Sequence, residues 1–167
     1  MKRLLVILFV LLLLCGCARE NTDETLVPKW DIPNAPIADK SVIQMQYFSV
    51  KLPPDWEGLV VDSIEEFSDG TCSITFYERE RWLLDGCGKI CGIHLLQEGA
   101  DWTSLPGTAS LYGTLKTPDG YYIIAGSFPE LQEYHRDTLE IYLQLQATTA
   151  QLFDGITPNE GCTINVF

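Results

Sequence analysis

SLYGTLKTPDGYYIIAGSFPELQEYHRDTLEIYLQLQATTAQLFDG, residues 110–155, carries two hydrophobic periods in succession. Residues 110–116 and 121–128 are rich in β-branched and aromatic side chains, and Pro118-Asp119-Gly120 between them is a tight-turn signal, so the two runs read as a hairpin. From Pro129 the period changes. Leu131, Tyr134, Thr138, Ile141, Leu145 and Leu152 recur at three- and four-residue steps, one face of an amphipathic helix. Pro129 suits its first turn, Glu130 and Glu133 suit its positive dipole end, and Gly155 suits its stop. Sheet followed by one long covering helix predicts an α+β domain.

Upstream, the same reading yields four more strands. Phe48, Val50 and Leu52 alternate with Tyr47, Ser49 and Lys51 until Pro53-Pro54 stops the run. Residues 59–67 form the next candidate, closed by Asp69-Gly70. Residues 71–80 alternate again, with Cys72, Ile74 and Phe76 opposed to Ser73, Thr75 and Tyr77. A loop over 81–88 leads to a strand over 89–97. The expectation is an antiparallel sheet of about six strands covered by one long C-terminal amphipathic helix, a single globular α/β domain over residues 41–167.

The segment ahead of that domain reads as an address. Met1-Lys2-Arg3 is a basic start, residues 4–14 are unbroken apolar, and Gly16 precedes Cys17, the layout of a secretory leader. That apolar run is about half of the roughly 20 residues a bilayer-crossing helix needs. Leu14-Cys15-Gly16-Cys17 resembles the bacterial lipobox, with Cys15 where the family pattern usually has Ala or Ser. The resemblance implies a signal peptide over residues 1–16, a diacylglyceryl thioether on Cys17 and an acylated new N-terminus. Ordinary cleavage after Ala18 is the alternative. Residues 17–40 hold Pro28, Pro33 and Pro36 and read as a lipid-anchored tether, with Trp30 and Ile32 able to dock on the domain.

Charge narrows the partners. The formal net charge is −12; Lys2 and Arg3 lie in the leader and no acid does, so beyond it nine basic residues face 23 acidic ones, a balance of −14. Nucleic-acid binding draws its affinity from Lys and Arg on phosphates, so a nucleic-acid partner is excluded. Adhesion to anionic lipid headgroups is disfavoured for the same reason. The membrane partner is therefore reached through the N-terminal lipid, on the extracytoplasmic face.

Tyr47-Phe48-Ser49-Val50-Lys51-Leu52-Pro53-Pro54-Asp55-Trp56 resembles the opening of PsbP-like domains. Thr75-Phe76-Tyr77, then Gly92-Ile93, then a hairpin and a helix, is similar to small clostridial surface lipoproteins of that α/β/α class. The resemblance spans residues 46–155. It implies an α/β sandwich and a surface or accessory role, and brings no catalytic residue.

Four cysteines lie beyond the anchor: Cys72, Cys87, Cys91 and Cys162. An even number in an exported chain suggests disulfides, with three possible connectivities. In an extended strand Cys87 and Cys91 would stand about 13 Å apart, too far to bridge, so bridges tying Cys162 to the sheet are preferred. The alternative is an extracytoplasmic redox or metal-binding site on Cys87, Cys91 and His94, although Cys91 and His94 would face opposite sides of a strand.

His135, beside Glu133 and Asp137, reads as part of a solvated helix face. Glu65, Glu66, Asp69, Glu78 and Glu80 lack the regular spacing of a calcium loop. Trp56, Trp82 and Trp102 read as core-edge packing, with a peptide- or glycan-contact surface as their functional alternative. Gly-x-Ser-x-Gly, P-loop and His-Glu-x-x-His motifs are absent. No cofactor is implied. The expected function is a lipid-anchored, non-enzymatic envelope protein that acts by binding, with an envelope protein as its partner.

Overall fold

The computed structural model describes residues 41–130 and 138–167. In chain order the described strands are β1 (Val42–Gln44), β2 (Phe48–Lys51), β3 (Val60–Glu66), β4 (Cys72–Glu78), β5 (Lys89–Gln97), β6 (Thr108–Thr117), β7 (Gly120–Phe128), β8 (Ile156–Pro158) and β9 (Thr163–Val166). Three short helices accompany them: α1 (Arg79–Asp85), α2 (Leu139–Ala147) and α3 (Thr149–Asp154). The strands form two antiparallel sheets, one ordered β1-β2-β8 and one ordered β3-β4-β5-β7-β6-β9.

The architecture is thus mostly β, which corrects the α+β expectation. The 47–52 run belongs to the small sheet, and the sixth strand of the large sheet is β9, from the C-terminal tail. No single long helix covers a sheet among the described residues. Residues 139–154 form two helices that meet at Thr148, whose φ of −103° and ψ of 6° lie outside helical values.

The cause is local. The Thr148 hydroxyl bonds back to the Gln144 and Leu145 carbonyls, and the Thr149 hydroxyl to Gln146 O at 2.9 Å. β-Branched residues whose hydroxyls compete for the helix ladder bend or end it. The predicted N-terminal half of the helix, with Leu131, Tyr134 and His135, lies outside the described residues.

Alternation explains the large sheet. In β4, Cys72, Ile74 and Phe76 are buried while Ser73, Thr75 and Tyr77 are half-buried. Opposite them in β5 lie Leu95, Ile93 and Cys91 in register. This inner face packs with Tyr142 and Leu145 of α2, Leu152 and Phe153 of α3, and Phe48, Val50 and Ile156 of the small sheet in one core. Trp56 closes it from the short 3-10 turn Pro54–Trp56, its ring edge-on to Phe76 at 5.4 Å.

Candidate binding face

Side chains on the other face of the large sheet follow from the register. His94 of β5 opposes Ser73 of β4 and Ala125 of β7, while Gly92 opposes Ser127. His94 is held at both ring nitrogens: Nδ1 lies 2.6 Å from Ser73 Oγ and Nε2 2.8 Å from Ser127 Oγ. Lys89 Nζ donates to the same Ser127 Oγ at 3.1 Å. A polar chain Ser73–His94–Ser127–Lys89 therefore runs across three strands.

Lys89 is positioned from several sides. Tyr142 of α2 donates from its hydroxyl to Lys89 O at 2.9 Å. The Lys89 Cα pairs with Tyr77, after a register shift that leaves Ile90 unpaired. Before it, Gly88 has φ +88°, and a Cβ there would stand 2.8 Å from the Arg81 Cβ, so glycine lets α1 close against the start of β5.

That helix begins because the Glu78 carboxylate accepts from the amides of Glu80 and Arg81, at 2.9 and 2.7 Å. It ends at left-handed Gly86. In between, it lays Trp82 on Tyr77 with ring centroids 4.2 Å apart. Glycine at 92 lets this pair close, because a Cβ there would lie 2.7 Å from both His94 Nε2 and Ser127 Oγ.

The face is poor in acids. β5, β6, β7 and β9 contain no Asp or Glu, and Glu65 at the β3 edge is the one strand acid pointing this way. Lys89 is half-buried, and no carboxylate lies within 4.0 Å of its ammonium among the described residues. Arg81, by contrast, pairs with Asp85 at 2.6 Å.

Chemically, both imidazole nitrogens are taken up by hydroxyls. Burial, with Lys89 adding to it, pushes the His94 pKa down to about 4, so the ring is neutral at pH 7. Whichever tautomer it adopts, one hydroxyl donates to it and the other accepts from it. The Ser127 residue is fully buried, which keeps its oxygen from a substrate. No carboxylate orients the imidazole, as a hydrolytic triad requires. Burial also lowers the Lys89 pKa below the usual lysine value.

A pH dependence follows. The folded imidazole resists a proton that the unfolded chain takes up below pH 6.5, so the unfolded state binds more protons as pH falls toward 4. The stability tied to His94 is complete above pH 6.5 and is lost through that window. The melting temperature should drop between pH 7 and pH 4.5 by more in the native protein than in His94→Gln. Equal drops in the two would contradict the assignment.

The other sequence candidates lie apart from this chain. Cys91 faces the core, fully buried, on the side of β5 opposite His94, and burial pushes its thiol up to about 12. Cys72 is buried on that same inner face and is likewise raised to about 12. Cys87 is exposed and Cys162 half-buried; all four thiols are free in the structure. Cys87, Cys91 and His94 are not brought together, and the described residues hold no group of three metal-ligating side chains.

A thiol reagent should therefore react first with Cys87 and leave Cys72 and Cys91 untouched until denaturant is added. Two disulfides and no free thiol in the purified protein would contradict that placement.

Among the acids, Asp69 caps its own turn through Thr71, and those bonds hold its carboxyl below the usual range. Glu78 caps α1. Trp56 is core and Trp102 is half-buried in the turn Trp102–Ser104; Trp82 alone of these three stacks on an outward side chain of the large sheet, Tyr77. His135 and Cys17 lie outside the described residues.

The partners of His94 escaped the sequence reading. Ser73 and His94 do share the outward parity of their strands, but pairing them needs the register, which the irregularity at Ile90 sets. No described helix is long and apolar enough to cross a membrane. No family model, curated protein or solved structure matches the chain.

Proposed function

We propose that this chain is a lipoprotein held on the extracytoplasmic face of a membrane through Cys17, and that it works by binding rather than by catalysis. The anchor rests on the basic start, the short apolar run and Leu14-Cys15-Gly16-Cys17. The observation that carries the binding half is the polar chain on the outer side of the large sheet: a His94 held between two hydroxyls, beside a half-buried lysine with no carboxylate within 4.0 Å among the described residues. Both imidazole nitrogens are occupied by hydroxyls, so the ring is fixed in place.

Detergent phase partitioning tests the anchor. The native protein should enter the detergent phase and incorporate labelled palmitate, and Cys17→Ala should incorporate none. A palmitate-labelled Cys17→Ala protein would contradict the proposal.

A further inference from the structure

A groove of about 290 Å³ lies where the end of β2 meets α3. Lys51, Leu52, Pro53 and Pro54 form one wall, and Gln151 and Asp154 of α3 the other. The walls join where the Lys51 amide donates to Gly155 O at 3.0 Å. Glycine permits that approach, because a Cβ at 155 would collide with Lys51 O. Leu52 and Pro53 are buried at the floor, while Lys51, Pro54, Gln151 and Asp154 are exposed at the rim.

The chain enters the described domain beside this groove. The Leu52 amide donates to Ser41 O at 2.9 Å, one step beyond the Val42–Lys51 pair of β1 and β2. Pro53 and Pro54 have no N–H, so the residues ahead of Ser41 cannot continue that ladder. Composition changes in the same region. Residues 18–28 hold Arg19 and three acids, the make-up of a solvated tether. Residues 30–38 have Asp31 as their only charge and include Trp30, Ile32, Ile37 and two alanines.

We propose that Ala35-Pro36-Ile37-Ala38 docks in this groove, with Ile37 as the side chain that fills it. Ile37 is four residues from Ser41, about 13 Å of extended chain, enough to cross the end of β2. Next to it, Asp39 and Lys40 carry charges opposite to those of Lys51 and Asp154 at the rim. A short link gives the segment an effective concentration of the order of millimolar, so a small contact suffices. Pro36 lowers the entropy lost on ordering it.

Docking withdraws residues 35–40 from the tether and shortens its extended reach by roughly 20 Å. The docking itself needs no lipid; the closer stand-off from the membrane rests on the Cys17 anchor proposed above.

The test is hydrogen exchange read by mass spectrometry on the full-length protein in detergent. Relative to their intrinsic rates, the amides of residues 37–40 should exchange at least tenfold more slowly than those of residues 20–25. Ile37→Asp should abolish that protection and speed exchange at residues 151–154, leaving β4 and β5 unchanged. Gln151→Trp, at an exposed position of α3, would fill the groove from its other wall and should also abolish the protection.

Exchange at residues 37–40 as fast as at 20–25, or protection that survives either substitution, would overturn the proposal. So would protection that fades on dilution, which would assign the groove to a second copy of the chain. Exchange is read whether or not Cys17 carries lipid, so failure of the docking and failure of the anchor are distinguishable.

Discussion

Trp56→Ala should destabilise the domain by about 3–5 kcal/mol, the range for truncating a fully buried large aromatic. A domain of this kind has roughly 5–15 kcal/mol in total, so the variant will be largely unfolded or close to it. Trp56 is fully buried at the meeting point of three parts of the fold. Its ring packs on Phe76 of β4, and its indole nitrogen donates to Thr148 Oγ at 2.7 Å, at the junction of α2 and α3. It follows β2 by way of Pro53 and Pro54, so the small sheet is tied to the large one through the same side chain.

Alanine leaves a cavity and removes the donor on Thr148 together. Urea unfolding followed by circular dichroism should show a much lower midpoint with an unchanged slope. A midpoint within about 0.3 M of the native one would mean that Trp56 does not bridge the layers.

Cys17→Ala carries the second large effect, on location rather than stability. One acyl chain gives only marginal membrane binding, with an association constant of about 10⁴ M⁻¹, whereas two or three together hold a protein durably. The chain beyond residue 16 has a side-chain balance of −14, which repels anionic headgroups. The lipid proposed on Cys17 is an attachment that this charge does not oppose. The variant should pass almost entirely to the aqueous fraction or accumulate at the larger size of the unprocessed precursor. A mature-sized Cys17→Ala protein that still pellets with membranes would mean that another surface holds it.

The β6–β7 hairpin is readable because its local signals agree. Thr117 Oγ accepts from the amides of Asp119 and Gly120, closing the turn that Pro118-Asp119-Gly120 announces, and β6 and β7 run on either side of it. The Cys72–Ile74–Phe76 alternation likewise marks the inner face of β4.

Periodicity misled at residues 138–152. The spacing of Ile141, Leu145 and Leu152 continues across Thr148, but spacing does not register hydroxyls turning back on their own carbonyls. β9 was missed because Thr163–Val166 is short and largely exposed, and it becomes a strand only by pairing with β6.

At the candidate site, His94 was visible as a residue type and its parity was readable. Its setting was not. Ser73 and Ser127 are 21 and 33 positions away in the chain, and Lys89 reaches Ser127 only because Tyr142 and Gly88 fix the start of β5. Such a constellation is a product of register, which a single sequence specifies only through the fold. The cysteine spacing, by contrast, was conspicuous in the sequence and spread between core and surface in the structure.

The most direct test of the central claim is the intact mass of the mature protein, with sequencing of its first residues. The account predicts a chain that begins at Cys17 and carries the added mass of a diacylglyceryl group on that cysteine. A chain that begins at Arg19 without lipid, or that keeps residues 1–16, would contradict it.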